Sequence, residues 1–553
     1  MDPLKNDDKL IIVNRSKEHR ISKNLIRKVP YFEKMLSHYS SKSKENKVVL
    51  DFDEKVLELI LNRVEHGYIF MEMDCVIKLC TIADYFGMDK YLINECFTHF
   101  HNNFAIEHLP VIIPQVTATS KCINSGALNA FICRYFTKIA KTNLWLNYPI
   151  ETIEYICKLD LMVYSEMQVF DVIMKWINFK ADARKCYLKE LLKSIRWCYL
   201  EDKDLAEIKE NKCIQSSNFE PKSCFRDKSG CNCVDRTRQS YFIVIEKFND
   251  TDLRIKLLDD NFLPLVNQVI QLDESLSLHL LHDEHVSDVF FDSGRKLIRI
   301  DWKQKKYRLL EAATFQSHFT KCLMLISDEQ KRQVIYFPTT SVVIRSYSVE
   351  NVFSDHFILV NYLIFFFVYF RKTYFSKIEP HKQDHAFESA LLEADDMFIL
   401  VRINGNKFQF HQLPNVLDIR SLFGLQGHSY LATILDNNIY MLTKDLELIQ
   451  FNIGSGCVRE TIGFERFRDK FHFSSLLLTS SRANDDEVFI IDKSTKDLFC
   501  YNVKTEKWSS MGRISNCDSG SDGKMKSADL IAFTSTFLSK DAIKACLNMN
   551  SNE

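Results

Sequence analysis

Three histidines recur at intervals of three, His279-x2-His282-x2-His285, with Asp283 and Glu284 between them. Imidazole and carboxylate together are ligands of zinc and related transition metals. This is therefore the densest candidate metal cluster in the chain. On a helix, i, i+3, i+6 spacing does not bring three imidazoles to one point, and the run reads as a polar connector at a sheet edge. A second set is sulfur: Cys213, Cys224, Cys231 and Cys233, spaced Cys-x10-Cys-x6-Cys-x-Cys. That is not the paired spacing of a zinc ribbon. Nearby Arg226, Lys228, Arg236 and Arg238 would favour thiolates, so zinc and redox sensing stand beside the plainer reading of ordinary linker thiols. The chain contains no G-x-S-x-G, H-E-x-x-H, P-loop or G-x-G-x-x-G. Catalytic residues, metal ligands and cofactor are all expected to be none, and the protein is expected not to be an enzyme.

The elements that must carry such groups follow from the rest of the chain. Its 553 residues should hold roughly three or four domains. Apolar residues make up 46% and charged residues 26%, with a net charge of −1. That balance gives no bulk attraction to nucleic acid or an anionic membrane. The start, MDPLKNDDKL, is too charged for a signal peptide. Seventeen cysteines without such a signal suggest reduced thiols in the cytoplasm, or also the nucleus. The one membrane-like run, Phe357 to Phe370, is 14 residues long and contains Asn361. A membrane span needs about 20 apolar residues, and the β-branched and aromatic content suits buried strands.

Leu159 to Leu200 reads as a helical hairpin. Ser165 and Gln168 supply both halves of a capping box. Val169, Phe170, Ile173, Trp176 and Ile177 fall on one apolar face, and Leu188, Leu191, Leu192 and Ile195 on a second, with a charged turn FKADARK between. The order Leu159-Asp160, Val163, Ser165-Glu166, Val169-Phe170, Trp176-Ile177, Arg184, Leu191-Leu192, Ile195-Arg196, Leu200 resembles the BACK domain of BTB–BACK–kelch proteins. In that family the helical domain joins an N-terminal BTB domain to a C-terminal kelch propeller. Cys122, Ala127, Phe131, Tyr135 and Phe136 fit its opening helices. Pro149 can start a helix buried through Ile150, Ile153 and Ile156, and Leu205 and Ile208 close the array.

Upstream, Leu10–Val13 and Lys47–Phe52 read as strands. Helical patterns cover Asn24–Leu36, Asp53–Val64, Asp74–Met88 and Tyr91–Phe100, with Pro30 breaking the first and Gly87 ending the third. Such a mixture suggests an α+β unit. Pro30-Tyr31-Phe32, Val48–Phe52, Glu65-His66-Gly67, Ala83-Asp84-Tyr85-Phe86, Leu92 and Cys96 resemble a BTB domain. The resemblance implies a homodimer through an exchanged N-terminal helix. Only nine residues precede Leu10, too few for that helix, so the homodimer stays an open alternative. It also implies docking to a cullin-3 scaffold. Leu36, His38, Tyr39, Ser41 and Lys42 stand where cullin-binding members contact the scaffold, although HYSSK lacks the Glu of their hydrophobic-x-Glu motif.

Residues 211–239 are polar, with Pro221 and Gly230, and read as a linker. Beyond them strand-sized runs start at Phe242, Val289, Val334, Met397, Leu431 and Val488, at intervals of 47, 45, 63, 34 and 57 residues. A period near 50 with several strands each is a propeller signature. The best internal pair lies 201 residues apart: Leu297–Asp301 with Tyr307, against Leu498–Asn502 with Trp508. The second block, YNVKTEKW, resembles the kelch strand pair. Leu530–Phe537 could return to close the ring. The chain has no Gly-Gly doublet and only 14 glycines, so Asp or Asn must supply the turns, as at Asp292 and Asn437-Asn438.

The expected architecture is multidomain α+β: a BTB/POZ-like α+β domain over 1–103, an all-α BACK-like domain over 104–210, a cysteine-containing linker over 211–239, an all-β kelch-like propeller of about six blades over 240–540, and a tail over 541–553. The resemblance implies a substrate-recognition adaptor of a cullin-3 RING ubiquitin ligase. Its BTB/BACK part would dock the cullin and its propeller would bind an unknown substrate protein. The alternative is a non-ligase structural or actin-associated kelch protein.

Overall fold

The structure is a computed structural model. It describes residues 9–39, 47–88, 90–217, 219, 234–310, 332–337, 340–345, 390–394, 398–404, 407–413, 418–423, 430–453, 455, 458–461, 464, 470–481, 486–514 and 529–549. The chain forms two compact units, one of Met1–Gln239, Ser277–Ser287 and Phe537–Glu553, the other of Ser240–Leu276 and Asp288–Thr536.

The first unit begins with a three-stranded sheet. β1 (Lys9–Asn14) pairs antiparallel with β2 (Lys17–Ser22) and parallel with β3 (Lys47–Leu50). Alternation in β1 turns Leu10, Ile12 and Asn14 inward. The buried Asn14 amide accepts from the Phe52 N–H at 2.8 Å and donates to the Phe52 carbonyl at 3.0 Å, which fixes the exit of β3.

Helices follow the apolar pattern. The sequence predicts one helix over 24–36 broken by Pro30. The structure has α1 (Lys23–Ile26) and α2 (Pro30–Tyr39), with Pro30 opening the second, a position where its missing N–H costs little. α3 (Glu54–His66) is capped by Asp53 and ends at Gly67, whose φ of +80° suits a residue without Cβ. α4 (Val76–Tyr85) and α5 (Lys90–Asn103) complete the α+β part.

An all-helical array continues through Ser125–Lys141, Asn143–Asn147, Ile150–Lys158, Glu166–Phe179, Leu188–Leu192, Asp202–Glu210 and Lys212–Ser217. Its centre is aromatic: Trp145 and Trp176 are buried. The Trp176 Nε1–H donates to the Tyr148 carbonyl at 3.1 Å, and the Tyr148 hydroxyl donates to the Ile106 carbonyl at 2.5 Å. The residues read as a tail also fold here. Lys540–Met549 is a helix with Ala542 and Cys546 buried, and the Leu538 N–H donates to the Gln239 carbonyl at 2.9 Å.

The second unit is sheet-rich and built mainly of small antiparallel meanders. β4 (Ser240–Lys247), β5 (Asp252–Leu258) and β6 (Pro264–Leu272) share a sheet with β7 (Val286–Phe291), β8 (Lys296–Asp301) and β9 (Lys306–Leu310); β6 and β9 meet through a two-residue parallel pairing. β10 (Arg332–Phe337) and β11 (Thr340–Arg345) form a hairpin. Three four-stranded sheets follow. They are β12 (Ala390–Glu393) to β15 (Asp418–Phe423) through β13 (Phe398–Asn404) and β14 (Lys407–Leu413); β16 (Leu431–Leu435) to β19 (Val458–Thr461) through β17 (Asn438–Leu442) and β18 (Leu448–Asn452); and β20 (Leu476–Ser481) to β23 (Lys507–Arg513) through β21 (Glu487–Asp492) and β22 (Asp497–Asn502). The last strand, β24 (Asp529–Phe537), adds beside β4.

Successive sheets bury faces against one another. Leu392, Ile399 and Val401 of the β12–β15 sheet pack with Ala432, Ile439 and Met441 of the next. Tyr440 and Leu448 pack with Leu478, Val488 and Ile490. Leu477, Phe489 and Ile491 pack with Phe242, Val244, Leu530 and Phe533. The run Phe357–Phe370 lies outside the described residues, as does much of the chain between β11 and β12.

The turns show how few glycines suffice. Asp292 takes a positive φ of 52°, as expected. In the β16–β17 hairpin it is Asp436 at 53°, one residue before Asn437-Asn438. The repeat 201 residues apart keeps its register next to the turn, though the second hairpin shifts register between Leu498 and Phe499. Ile300 pairs Tyr307 and Tyr501 pairs Trp508, and each hairpin carries one left-handed residue at the same place, Lys305 (φ 55°) and Glu506 (φ 55°). Asp301 accepts from the Lys303 and Gln304 N–H groups, and Asn502 from the Thr505 N–H, so a side-chain oxygen braces each turn.

Candidate functional site

The helical hairpin forms as its residues dictate at one end and departs at the other. Ser165 caps Glu166–Phe179: its Oγ accepts from the Met167 N–H at 3.1 Å, and Gln168 Oε1 reaches back to the Ser165 N–H at 3.5 Å. Val169, Phe170, Ile173, Trp176 and Ile177 are all buried. The second helix is only Leu188–Leu192, flanked by 3-10 turns, with Leu188, Leu191, Leu192 and Ile195 still inward. The turn FKADARK is charged but not all solvated. Arg184 lies over the Trp176 ring at 3.9 Å and donates to the Trp176 and Leu146 carbonyls at 2.8 Å each.

The segment after the hairpin is its main surprise. Residues 211–239 read as a linker, yet Lys212–Ser217 is helical and Arg236 is fully buried against fully buried Glu166. The guanidinium grips the carboxylate with two hydrogen bonds of 2.5 and 2.7 Å. It also donates to the carbonyls of Cys157 at 3.0 Å, Leu159 at 3.1 Å and Ser194 at 3.2 Å. Glu166 Oε2 accepts a further bond from the Arg196 N–H at 3.1 Å. Two helix ends and the returning strand of chain thus converge on one ion pair. A buried pair is tolerated when its remaining polar atoms are satisfied, and here three carbonyls take up the guanidinium donors. Gln239 adds bonds to the Leu161 and Asp160 carbonyls at 2.9 and 3.3 Å. Sequence reasoning missed Arg236 because polar neighbours hide it. The one available signal was Glu166, an acidic residue that also follows a cap.

Three of the residues expected on the cullin side belong to α2. Leu36, His38 and Tyr39 lie in its last turn, with Leu36 half-buried; Ser41 and Lys42 lie outside the described residues. Below that helix, Tyr31, Phe32, Phe52, Tyr85 and Phe86 form a continuous ring cluster with centroid spacings of 5.2 to 5.5 Å. Past the end of α3, Tyr68 and Phe70 are exposed, with ring centroids 5.7 Å apart.

The three histidines do not converge on one point. His279, His282 and His285 lie in a non-helical segment. His279 stacks on His101 at 4.2 Å, His285 faces Glu284 at 3.5 Å, and His282 faces the Asp283 carbonyl. Of the linker cysteines, Cys213 is half-buried, and Cys224, Cys231 and Cys233 lie outside the described residues. Among the described residues the one group with ligand-like spacing is His19, Glu54 and Glu58. The Lys17 ammonium already pairs with Glu58 there and stands 3.9 Å from Glu54, so this is a salt-bridge network. No helix among the described residues is long and apolar enough to cross a membrane.

Comparison with known proteins bears on this helical array. The family model described as BACK, "BTB And C-terminal Kelch", matches residues 123–210. Kelch-like protein 28 of Mus musculus is 26% identical over 184 residues, covering 33% of this chain and 32% of that protein, and its Homo sapiens counterpart gives the same values. Kelch-like protein 6 of Homo sapiens is 21% identical over 179 residues, 31% of this chain and 29% of that one. The alignments thus span about a third of the length of these relatives. Among solved structures, apo AztD from Citrobacter koseri aligns with a TM-score of 0.21 at 8% identity, over 53% of this chain and 62% of that one, a likeness too slight to carry an argument. Residues 123–210, which hold the capped hairpin, are thus similar to the BACK domain, and the chain is similar to kelch-like proteins over about a third of its length.

Proposed function

We propose that the protein is a substrate-recognition adaptor of a cullin-3 RING ubiquitin ligase. The mixed three-stranded sheet with α1–α5 is a BTB-like module, and the end of α2, through Leu36, His38, Tyr39, Ser41 and Lys42, meets the cullin. The sheet-rich unit is a kelch-like propeller that holds the substrate protein. The observation that carries this reading is the sheet-upon-sheet packing together with β24 adding beside β4. A last strand that completes the first sheet is how a ring of small sheets closes without free edges. Such a ring offers loops from every sheet for recognition. The adaptor does no chemistry of its own; it raises the local concentration of substrate beside another enzyme's reactive site.

A second reading is favoured by one specific feature. The segment His38–Lys42 holds no glutamate, which weakens the cullin contact and fits a non-ligase kelch protein bound to actin. Affinity purification from cells separates the two. The full chain is expected to recover cullin-3, and a version lacking residues 1–103 to lose it. Recovery of actin without cullin-3 would establish the second reading.

A further inference from the structure

The salt-bridge network beside the sheet of the first unit brings an imidazole and two carboxylates onto one spot. Glu54 opens α3 and Glu58 follows one turn later, so i, i+4 spacing sets both carboxylates on the same helix face. His19 comes from β2, where it stands opposite Ile12 of β1. Its Nε2 lies 2.5 Å from Glu54 Oε1, although the two residues are 35 positions apart. One ligand atom from each of His19, Glu54 and Glu58 lies within 4.8 Å of the other two. Around a tetrahedral zinc ion, with ligands about 2.0–2.1 Å from the metal, neighbouring ligand atoms stand about 3.3 Å apart. Side-chain shifts of roughly 1 Å therefore close the set on an ion.

The ligands are braced from behind and open in front. The buried Asn14 amide donates to Glu54 Oε2 at 2.7 Å, which leaves Oε1 turned to His19. A hydrogen bond of this kind orients a ligating carboxylate. Side-chain exposure rises from 14% at His19 through 31% at Glu54 to 40% at Glu58, so an ion reaches the spot from solvent. The cation now there is the Lys17 ammonium, paired with Glu58 and 3.9 Å from Glu54. Its side chain is 52% exposed, and such pairs hold weakly. A single positive charge on a long, mobile stem thus faces two carboxylates. A divalent ion balances both and adds a bond to nitrogen that an ammonium cannot make. The imidazole selects zinc and its neighbours over calcium and magnesium, which take oxygen ligands in larger number.

We propose that His19, Glu54 and Glu58 form a zinc site in which the ion displaces the Lys17 ammonium and a water completes the tetrahedron. His19 ligates through Nε2 as the neutral imidazole, with its hydrogen on Nδ1, and each glutamate gives one oxygen. Lys17 swings to solvent, where its exposed stem already lies. The bound ion ties β2 to the first two turns of α3, a link that the salt bridges alone make only loosely.

The test counts zinc bound to the folded full-length protein by equilibrium dialysis, after accessible thiols have been alkylated with N-ethylmaleimide to remove cysteine sites from the count. Wild type is expected to hold one more zinc per chain than His19→Gln or Glu58→Gln, and an excess of magnesium or calcium should not displace it. Circular dichroism of each variant at the wild-type value shows that loss of zinc is not loss of fold. Lys17→Ala removes the competitor and no ligand, so it should bind several-fold tighter than wild type; this arm keeps its force even where a ligand variant fails to fold. Equal zinc in wild type and His19→Gln would overturn the proposal. So would Lys17→Ala binding no tighter than wild type.

Discussion

The helical array and the sheet-rich unit both bury ion pairs but differ in how much of their cohesion converges on one of them. In the array, one ion pair joins residues 70 positions apart, Glu166 and Arg236, and gathers two helix ends and a returning segment onto one point. In the sheets, buried pairs join residues both near and far, Arg299–Asp288 11 apart and Lys496–Glu246 250 apart, and the seams between sheets add apolar faces repeated one after another. Concentrated polar locking gives one geometry and one point of failure. Repeated apolar seams spread the load, and each position tolerates more.

The largest expected effect therefore falls on the lock. Glu166→Gln should leave Arg236 buried without its counter-charge and cost about 3–5 kcal/mol. Chemical denaturation followed by tryptophan fluorescence measures it, since Trp145, Trp176 and Trp197 all lie in the array. Combining Glu166→Gln with Arg236→Met should recover part of that loss. A double variant as unstable as the sum of the singles would break the contrast.

A smaller effect is expected where two sheets touch through backbone. Gly294 has φ +76°, and a Cβ there would stand 2.1 Å from the Leu391 carbonyl oxygen. Gly294→Ala should cost roughly 1–3 kcal/mol from backbone strain alone. A scanning-calorimetry midpoint unchanged from wild type would show that this contact gives way freely.

Much of this was legible in the sequence, and the limits are physical. Helix caps and apolar faces act within a few residues, so Ser165, Gln168 and the Val169–Ile177 face were readable. The hairpin repeat was readable too, because Tyr307 and Trp508 answer the same strand position. The buried contacts of Arg236 and Arg184 were not, since their partners lie 8 to 79 residues away. The length of the second hairpin helix was overestimated because leucine spacing fits a helix and a succession of 3-10 turns alike. The tail helix was passed over for a similar reason: Ala542, Ile543 and Cys546 make a short apolar face that becomes persuasive only once there is something to bury it.

The turns give a pH-dependent comparison. Asp492 is buried, which by itself would raise its pKa. Hydrogen bonds from Ser475, Ser494 and Thr495 outweigh that and hold it below the ordinary carboxylate range. A depressed native pKa contributes stability above the unfolded value near 3.9, lost as pH falls through the native value. Asp492→Asn should cost about 1.5 kcal/mol at neutral pH. Its penalty should shrink on acidification, as read from denaturation midpoints between neutral pH and the acid limb. A penalty constant with pH would assign the effect to shape alone.

The smallest effects are expected at the left-handed residues of the repeated hairpin. Lys305→Gly and Glu506→Gly relieve a conformation costing an L-residue roughly 1–2 kcal/mol, against a glycine entropy cost of about 0.5–1 kcal/mol. Each variant should match or slightly exceed wild-type stability. A clear loss at one and not the other would show that the two hairpins, equal in register next to the turn, are not equal in function.

The adaptor reading is tested most directly by titrating purified full-length protein with the N-terminal region of cullin-3 in a calorimeter. The account predicts saturable one-to-one binding that is weakened when Leu36 is changed to Asp. Absence of any saturable heat, from protein whose circular dichroism shows it folded, would contradict it.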